Sequence, residues 1–578
     1  MKRFTADFET STWIEDSSFV WAWALCEIEN THNIDVGNTI EGFFERIKRE
    51  NNPYIYFHNL KFDGEFILFY LLKNGYEYVE SREKRSNTFS TLISDMGMFY
   101  QIEVYFDVGK KVKKVTFIDS LKIINQSVDS IAKTFNLPMS KLSIDYNKPR
   151  KRGHILTKEE TEYIEHDVVI VAKGLEHLFK MGLTKMTAGA NALSEYKEII
   201  NLNKFRSLYK PLQYEVDQDI RASYKGGFTY LNPIYKGKDV SSGSVLDVNS
   251  LYPSVMYDEL LPFGDPFFYE GKYIEDKVYP LYIQRITCSF KIKEGMIPTI
   301  QIKHRQFVDN EYLESSNGEI VALTLTNIDL KLFFEHYDVY DLDYSCGWKF
   351  KGMKGLFKNY IDKWIGVKNE ATILGNKGLR QVAKIMLNSL YGKFATSLDV
   401  QSKIPYLEDD IVRYKLSDKD RKKGVYLPMG AFITAYARDK TIRTSQKIKT
   451  YSIEKYNKDM YIYSDTDSIH TLLPIEELKK FCEIDDVELG KWKHEATFTK
   501  ARFIRQKTYL EMIDGEMKIT CAGLPQKCYD EVEWEKFKEG MTVGGKLMFH
   551  HVKGGVNLVE TEFTIKYDKQ LINAIKML

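Results

Sequence analysis

The sequence predicts an α/β protein in the broad sense, an α+β chain that folds into several domains. Its 578 residues correspond to about three to four domain equivalents. Short alternating strands run into segments of helical periodicity, as at residues 54–73 and 244–258. A strand, turn and strand pattern surrounds the stretch Tyr463-Ser464-Asp465-Thr466-Asp467-Ser468. These three observations together indicate mixed sheets flanked by helices.

Composition indicates a soluble globular protein, with 43% hydrophobic and 28% charged residues. The net charge is +1, so a nucleic-acid partner would have to be held by local basic grooves. The six cysteines include no Cys-x-x-Cys pair, which fits a reducing interior rather than a zinc knuckle or a disulfide framework. The N-terminus lacks a signal-peptide pattern, and no run of about 18 apolar residues occurs. We therefore expect a cytoplasmic protein without a membrane segment, and a monomer.

Three acidic residues near the N-terminus are candidates for a metal site. Asp7 and Glu9 are two residues apart on a predicted strand and therefore share one face. Asp63 follows the next apolar strand, in a polar loop with Asn59 that leads into a helix from about Glu65. Each acid alone is more simply explained as an exposed strand face or a helix cap.

A fourth acid, Asp167, lies on a predicted helix that opens with a capping box at residues 157–160. Tyr163 is four residues earlier and therefore on the same face. Asp167 alone could be a surface acid. Four carboxylates on separate elements, with a tyrosine able to orient water, nevertheless meet the requirement for two-metal hydrolysis of a phosphodiester.

The stretch around Asp465 and Asp467 is the second candidate metal site. On a strand these two carboxylates would point to one face, with Thr466 turned away. Two like charges so close need a cation between them, and oxygen ligands favour Mg²⁺ or Mn²⁺. A lone Asp-x-Asp is more often a solvated turn. Asp247 adds an acid at the end of a strand, followed by a tight turn into a helix whose amides could hold a triphosphate.

Residues 377–395 predict a helix with a basic face. Its polar members at helical spacing are Lys377, Arg380, Lys384, Asn388 and Tyr391. An ordinary amphipathic helix would explain the charges, but not the asparagine and tyrosine in line with them. Cations followed by an aromatic ring suit a nucleoside triphosphate. Gly226 and Gly227 either allow close backbone approach to a partner or form a plain turn.

The order of these motifs resembles two known sets. D-x-E, N-x-x-x-D and Y-x-x-x-D resemble the exonuclease motifs of DnaQ-like (RNase H-like) proofreading 3′–5′ exonucleases. D-x-x-S-L-Y-P, K-x-x-x-N-S-x-Y-G and Y-x-D-T-D-S resemble motifs A, B and C of family B DNA polymerases. Arg505-Gln-Lys-Thr-Tyr509 resembles the K-x-Y motif that contacts the primer end. The three exonuclease-like motifs occur in order and are followed by the three polymerase-like motifs in order, and this combination is a highly specific signal.

Two spans between the motifs are too long for simple links. The protein-primed replicative polymerases of phi-twenty-nine-type phages carry two insertions at these places. The stretches YFHNLKFDG, GGFTYLN, DVNSLYP, GEIVALTLTN, KIMLNSLYGKFA and FITAYAR resemble that group. This chain departs from it in a shorter segment between Tyr509 and Cys521 and in a tail beyond Lys566.

The resemblance implies a DnaQ-like exonuclease domain followed by a right-hand polymerase of palm, fingers and thumb with two insertions. The implied boundaries are exonuclease 1–187, palm 188–258, 353–360 and 429–528, first insertion 259–352, fingers 361–396, second insertion 397–428, and thumb with C-terminal tail 529–578.

The resemblance also implies roles for individual residues at the exonuclease site. Metal ligands there would be Asp7, Glu9, Asp63 and Asp167, with Tyr163 positioning the water and Lys141 supporting the chemistry. Single-stranded DNA would be held by His58, Asn59, Phe62, Ser120 and Leu121.

At the polymerase site, Asp247 and Asp467 would bridge two ions. The full implied metal set is Asp247, Val248, Asp465 and Asp467. The incoming nucleotide would be bound by Leu251, Tyr252, Lys368, Arg380, Lys384, Asn388 and Tyr391, with Tyr252 excluding a 2′-hydroxyl. DNA contacts would be Tyr224, Gly226, Gly227, Ser250, Thr434, Arg438, Lys507 and Tyr509.

The implied cofactor is Mg²⁺, replaceable by Mn²⁺, with two ions at each site. Implied partners are dNTPs, primer-template DNA, single-stranded DNA and a terminal protein that serves as primer and contacts the first insertion. The second insertion would encircle the template for processive strand displacement on a linear phage or mobile-element genome in a bacterial cytoplasm. Two alternatives stay open: an oligonucleotide-primed family B polymerase of repair or a mobile element, and a nuclease-only or structural DNA-binding relative.

Overall fold

The computed structural model describes residues 2–80, 85–109, 111–302 and 311–569. Parts of the predicted first insertion (303–310) and of the predicted C-terminal tail (570–578) lie outside the described residues. Within the described chain, no helix is both long and apolar enough to cross a lipid bilayer.

The N-terminal domain is an eight-stranded mixed sheet with helices on its faces. Its order is β3-β2-β1-β4-β8-β7-β6-β5, with β1 parallel to β4 and β4 parallel to β8. The elements are β1 (Arg3–Thr10), β2 (Val20–Glu27), β3 (Ile34–Gly37), α1 (Ile40–Ile47), β4 (Tyr54–Phe57), α2 (Leu60–Lys73), β5 (Glu77–Tyr78), β6 (Thr88–Ile93), β7 (Phe99–Val108), β8 (Lys111–Asp119), α3 (Val128–Thr134) and α4 (Lys158–Lys180).

Two helix starts in this domain fix the positions of predicted site residues. The predicted capping box is confirmed, because the Thr157 hydroxyl and the Glu160 carboxylate each accept the other's backbone N–H. Helix α2 begins at Leu60 rather than near Glu65, so Asp63 lies in its first turn and not in the preceding loop.

The second large sheet has the order β26-β25-β24-β11-β23-β22-β9, with β10 paired to β24. Elements before and within its first half are α5 (Ala188–Ile200), α6 (Leu202–Leu208), α7 (Tyr214–Arg221), β9 (Thr229–Leu231), β10 (Asp239–Val240), β11 (Gly243–Val248) and α8 (Leu251–Asp258). Neighbouring strands are antiparallel, and β11 pairs with both β23 and β24. This register places the end of β11 beside the turn between β22 and β23.

Two excursions leave this sheet between α8 and its remaining strands. The first forms a sheet of order β12-β17-β13-β16. Its elements are β12 (Leu261–Glu270), β13 (Leu281–Ile292), β14 (Ile300–Gln301), β15 (Tyr312–Leu313), β16 (Val321–Thr326), α9 (Asn327–His336) and β17 (Tyr337–Met353). A helical pair follows, α10 (Lys358–Ile373) and α11 (Lys377–Ser389), with the short α12 (Tyr391–Phe394). The second excursion contains β18 (Asp399–Val400), β19 (Lys403–Glu408), β20 (Ile411–Leu416) and β21 (Asp420–Arg421).

One sequence expectation for the helical pair is wrong in detail. The helix expected over 377–395 is interrupted at the fully buried Leu390, which follows α11 and precedes α12. Tyr391 therefore opens the short second helix.

The chain then returns through α13 (Leu427–Tyr456) to complete the second sheet. The remaining elements are β22 (Tyr461–Asp465), β23 (Ser468–Thr471), α14 (Ile475–Leu478), β24 (Trp492–Arg505), β25 (Thr508–Ile513), β26 (Glu516–Cys521), β27 (Thr542–Val552) and β28 (Gly555–Thr564). One continuous core of buried residues joins a face of the first sheet to the second sheet and the helical pair, including Trp21, Tyr196, Trp364 and Phe432.

Two hairpins reach back to the N-terminal domain, where their tips meet. In the β19–β20 hairpin, the Asp410 carboxylate lies 2.6 Å from the Lys73 ammonium. In the same hairpin, the Tyr414 hydroxyl donates a hydrogen bond of 2.7 Å to the buried Glu65. These contacts attach the second excursion to α2.

The β27–β28 hairpin contacts the same region. The Lys553 carbonyl accepts the Ser18 N–H at 2.8 Å, and the Gly554 N–H donates to the Asp410 carbonyl at 3.2 Å. Gly554 has a φ of +90°, and a Cβ there would lie 2.2 Å from the Ser18 carbonyl oxygen. Only glycine fits this close approach. We call this meeting of two hairpin tips and the N-terminal domain the tip junction.

Candidate active sites

The four predicted carboxylates of the N-terminal domain converge, and we call them the N-terminal acidic cluster. Strand β1 supplies Asp7 and Glu9, helix α2 supplies Asp63, and α4 supplies Asp167. The Phe8 N–H donates to Asp63 at 3.2 Å, which holds the start of α2 against β1. Glu9, Asp63 and Asp167 are all buried.

The electrostatics of this cluster favour a bound cation. Burial raises the pKa of Asp7 to about 7, and the charge of Asp167 adds to the increase. The pKa values of Glu9 and Asp63 lie well above their usual range, first because of burial and then because of Asp7. One oxygen of Asp167, Oδ1, is buried and has no hydrogen-bond partner among the residues that the structure describes. Acids that destabilise one another, with an unpaired oxygen among them, fit a divalent ion.

In the described part of the chain, no group of three or more His, Cys, Asp or Glu side chains is already close enough together to hold a metal ion. A bound ion would therefore have to draw these carboxylates closer to one another.

Lys141 and Tyr163 also lie at this cluster. The Lys141 ammonium is 2.9 Å from Asp167 Oδ2, and this attraction opposes the rise in the pKa of Asp167 that burial causes. The Tyr163 hydroxyl lies 2.8 Å from that of Tyr146, a residue that the sequence interpretation missed. Tyr146 lies in the same S-K-L-S-I-D-Y stretch as Lys141, so proximity in sequence could have indicated it.

The residues expected to hold single-stranded DNA are organised by Asp119, another residue not predicted. One oxygen of Asp119 accepts the N–H groups of Asn59 at 3.1 Å, Leu60 at 3.3 Å and Leu121 at 3.0 Å. Asn59 has the left-handed φ of 80° that this bend requires. Asp119 therefore joins the start of α2 to the end of β8.

Two more expected DNA contacts lie beside this bend. The His58 ring nitrogens lie 3.0 Å from the Ser120 hydroxyl and 2.6 Å from the Gln126 carbonyl. Burial also lowers the pKa of His58. Phe62 is half-buried beside Phe549, with ring centroids 6.2 Å apart.

The second candidate site, the central acidic site, comprises Asp247, Asp465 and Asp467. Asp247 is near the end of β11, and the next residue, Val248, donates its N–H to the Asp467 carbonyl at 2.8 Å. Burial raises the pKa of Asp247 to about 7, and Asp467 adds to this increase while Lys493 and Lys384 oppose it. Burial likewise raises the pKa of Asp467. These two half-buried carboxylates with raised pKa values fit a divalent ion between them.

The environments of Asp465 and Asp467 differ, which corrects the expectation of two carboxylates on one strand. Strand β22 ends at Asp465, and Thr466 takes a left-handed φ of 58°, so Asp467 lies in the turn. The Asp465 carboxylate lies 2.6 and 2.7 Å from the Lys507 ammonium and accepts the Thr229 hydroxyl at 3.2 Å. Thr466 packs against Gly227, where a Cβ would lie 2.5 Å from its hydroxyl oxygen.

A group of cations faces the central acidic site. Lys384 on α11 acts electrostatically on both Asp247 and Asp467. Lys368 on α10 has a lowered pKa, mainly because of burial and then because of Arg380 and Lys384. Cations that repel one another beside a carboxylate pair are suited to a triphosphate.

Aromatic rings line the same space. The rings of Tyr252 and Tyr391 stack with centroids 4.0 Å apart and an interplanar angle of 22°. Asn388 is exposed on α11, whereas Leu251 is buried at the start of α8. Ser250 precedes that helix with a φ of 54°, which produces the tight turn after Asp247.

Two of the expected DNA contacts do not face solvent. Thr434 and Arg438 on α13 are 1% and 5% exposed. Arg438 forms an ion pair of 2.7 Å with Asp329 and donates to the carbonyls of Lys225 and Gly226 at 2.7 and 2.8 Å. Its guanidinium is therefore paired inside the protein, where it holds the glycine loop at residues 225–227 in place. Direct contact of Arg438 with DNA stays a prediction.

The aromatic members of the expected DNA set are partly accessible. Tyr224 is half-buried near Tyr391 and Arg438. Tyr509 stacks on Phe503 with centroids 5.0 Å apart and also packs on Tyr463. Lys507, in contrast, is exposed at the tip of the β24–β25 turn.

Carboxylates at a strand end and in a facing turn, with cations on a nearby helix, are the groups that a nucleotide-polymerising enzyme requires. The sequence matches the family described as DNA polymerase type B, organellar and viral, over residues 45–156 and 143–481. It is 44% identical to the DNA polymerase of Bacillus phage Nf, over 98% of this chain and 100% of that protein. It is 43% identical to that of Bacillus phage phi29 and 33% identical to that of Streptococcus phage Cp-1, in each case over 98% of this chain and 99% of the relative.

A solved structure gives the same result. Phi29 DNA polymerase complexed with primer-template DNA and incoming nucleotide substrates matches with a TM-score of 0.90 at 42% identity, over 98% of this chain and 100% of that one. The chain therefore belongs to the organellar and viral type B DNA polymerases, close to the phi29-type phage enzymes. It is a DNA polymerase, and polymerases of this kind use divalent metal ions.

Proposed function

We propose that the chain is a protein-primed, strand-displacing replicative DNA polymerase with a proofreading 3′–5′ exonuclease, acting in the cytoplasm of a bacterial host. The observation that carries the proposal is the presence of two separate acidic sites, the N-terminal acidic cluster and the central acidic site. Both contain acids whose pKa values are raised by burial and by one another. We assign DNA hydrolysis to the first site and synthesis to the second.

At the central acidic site, Asp247, Asp467 and the Val248 backbone would hold Mg²⁺ or Mn²⁺. Two such ions, when bound, lower the pKa of the primer 3′-hydroxyl and neutralise charge on the triphosphate. Lys384, which acts on both carboxylates, would bind the phosphates together with Lys368 and Arg380, the cations close to it. Asp465 holds Lys507, which is exposed at the place where a primer-terminal phosphate would lie.

The incoming nucleotide would lie against the stacked pair Tyr252 and Tyr391. Tyr252 follows the strand-end acid by five residues and packs under the sugar, where its ring leaves no room for a 2′-hydroxyl. Asn388 and Leu251 complete the pocket, from α11 and α8. Sequence information is read by base pairing, so the protein needs only shape and backbone contacts.

At the N-terminal acidic cluster, Asp7, Glu9, Asp63 and Asp167 would hold two ions, which supply an activated water and stabilise the leaving 3′-oxygen. Tyr163 orients the water. Lys141 holds Asp167 in place and adds positive charge near the scissile phosphate. His58, Asn59, Phe62, Ser120 and Leu121 form the adjoining surface for a frayed single strand, with the backbone bend fixed by Asp119.

The ligands follow from the relatives. Phi29 DNA polymerase has been solved with primer-template DNA and incoming nucleotides, and also with single-stranded DNA at a TM-score of 0.88 to this chain. At 42% identity over nearly the whole chain, we propose the same ligands here, bound by a monomer. The domain boundaries proposed are those expected from the sequence, with the fingers at 361–396.

The two excursions support protein priming and processivity. The first forms a separate four-stranded sheet with its own core, and we propose that it contacts a terminal protein. The second ends at the tip junction, where it meets both the N-terminal domain and the thumb hairpin. The second excursion and the thumb hairpin, which meet there, would surround DNA and retain it during synthesis.

Paired active-site variants test the division of labour. Asp465→Ala with Asp467→Ala should abolish dNTP incorporation and preserve degradation of single-stranded DNA, whereas Asp7→Ala with Glu9→Ala should do the reverse. Loss of both activities in either folded variant contradicts the assignment. Protein priming is tested by transfer of a labelled dNMP to a protein hydroxyl without any oligonucleotide. Extension of oligonucleotides alone would favour a repair-type polymerase.

A further inference from the structure

The C-terminal tail returns from the thumb to the palm. Ile565 belongs to the thumb core, with its N–H bonded to the Met541 carbonyl at 2.9 Å and its carbonyl to the Gly540 N–H at 2.7 Å. Three residues later, the Asp568 side chain is only 6% exposed. The sequence interpretation expected the chain to depart from the phi29-type pattern in the tail beyond Lys566.

Asp568 is held by two cations of the palm. Its carboxylate accepts hydrogen bonds from the Arg505 guanidinium and, at 3.1 Å, from the Lys236 ammonium. Arg505 also donates to the Lys566 carbonyl at 2.6 Å, and its side chain is 8% exposed. A buried, charge-assisted contact of this kind is short and directional, and it fixes the geometry of the groups that it joins.

Arg505 flanks the turn that carries Lys507. Strand β24 ends at Arg505, and β25 begins at Thr508, directly opposite it. The turn residue Lys507 has a left-handed φ of 54°, and its N–H donates to the Tyr463 hydroxyl at 2.9 Å. This turn is thus held on one side by the tail, through Arg505, and on the other by Tyr463 and Asp465.

We propose that Asp568 is a positioning residue for the primer terminus. By holding Arg505, the tail sets the placement of the β24–β25 turn and so of the Lys507 ammonium. The inference rests on the proposed contact between Lys507 and the primer end. A looser turn would bind the primer less well at the palm and leave its 3′ end available for degradation.

The test uses the full-length enzyme with Asp568→Asn, which removes the charge and keeps the shape. We expect the Kd for primer-template DNA, and the dNTP concentration at which synthesis balances degradation, to rise about threefold to tenfold, the range for one lost supporting contact. The rate at saturating dNTP and the degradation of single-stranded DNA should stay unchanged. Asp568→Glu should restore part of the affinity. Glu562→Gln, the same charge change at an exposed position of β28, is the matched control.

Two outcomes overturn the inference. The first is wild-type primer affinity and wild-type balance in Asp568→Asn. The second is a parallel loss of single-strand degradation and melting temperature, which would show a role in folding alone. Lys507→Ala distinguishes the proposed role of Lys507 from that of Asp568. If Lys507→Ala binds primer normally, the proposed role of Lys507 fails; if it binds poorly while Asp568→Asn is normal, only the role of Asp568 fails.

Discussion

The Lys507 ammonium lies 2.6 and 2.7 Å from the two carboxylate oxygens of Asp465. This ion pair gives Asp465 a protein cation of its own. Among the residues that the structure describes, no cation forms an ion pair with Asp247 or Asp467, and burial together with the charge of Asp467 raises the pKa of Asp247 to about 7. The two acids of the Y-x-D-T-D-S motif therefore have separate tasks, although they stand two residues apart.

This difference predicts unequal effects of two conservative substitutions. Asp467→Asn should lower single-nucleotide incorporation by about 1000-fold, because it removes half of the proposed metal-binding pair. Asp465→Asn should cost about 10–100-fold, the usual loss for a supporting partner. Rapid-quench incorporation at saturating Mg²⁺ distinguishes the two. Equal losses would contradict the separation of tasks.

Sugar selection should depend on the ring of Tyr252. Tyr252→Val removes the ring that stacks on Tyr391 at 4.0 Å and opens space under the sugar. Discrimination between dNTPs and NTPs should fall by about 10–200-fold, the range for a change in pocket shape. The measurement compares kcat/KM for dATP and ATP on one primer-template. Tyr391→Phe keeps both rings and should retain the discrimination; a similar fall in that variant would assign selection elsewhere.

Metal binding should depend on pH. An ion binds the deprotonated carboxylates, and the pKa values of Asp7 and Asp247 are about 7 in the metal-free protein. Affinity for Mn²⁺ should therefore rise as the pH increases through about 7, and binding at pH 6 should release more protons than at pH 8.5. Calorimetry in buffers of different ionisation enthalpy measures this release. Equal proton release at both pH values would count against these raised pKa values.

The same acids should destabilise the metal-free protein at high pH. The pKa of Asp7 rises from 3.8 to about 7 on folding, so the unfolded chain ionises first, and stability falls as the pH rises from about 4 to about 7. In chelator at pH 8, Asp7→Asn should raise the melting temperature, by about 2–4 °C for each 1 kcal/mol gained. At pH 4 the gain should largely vanish. A stabilisation of the same size at both pH values would require another cause.

Processivity should depend on the tip junction. Tyr414→Phe removes the donor to Glu65, a carboxyl that is 2% exposed, and an unsatisfied buried group costs about 1–3 kcal/mol. Products made in one binding event, measured with a DNA trap, should shorten while the rate per nucleotide is kept. Tyr406→Phe, on the neighbouring strand and 37% exposed, is the matched control. Unchanged product length in Tyr414→Phe would contradict the proposal that the second excursion and the thumb hairpin surround DNA.

The class of fold and the grouping of several site acids could be predicted from the sequence, because these acids lie on strands of clear periodicity. Asp7, Glu9 and Asp247 are of this kind, whereas Asp467 lies in a turn. The sequence pattern placed the start of α2 too late, since the bend at Asn59 is fixed by Asp119, a residue 60 positions away. Contacts of such sequence separation leave no local signal.

Burial was the other feature that the sequence could not supply. Arg438 lies in a stretch typical of the family and was expected to contact DNA. Its guanidinium instead pairs with Asp329 of the first excursion and bonds the glycine loop. An arginine that faces solvent and one that is enclosed by distant elements have the same local pattern, so only the packed structure distinguishes them.

The tip junction has a topological consequence. It consists of a few hydrogen bonds and one exposed ion pair between Lys73 and Asp410, contacts that are individually weak. If the second excursion and the thumb hairpin surround DNA as proposed, the polymerase encircles its template. It would then leave a linear molecule by running off an end, but on a covalently closed circle it would remain linked until the junction opens. Dissociation from circles should therefore be limited by opening of the junction, whereas dissociation from short linear duplexes should not.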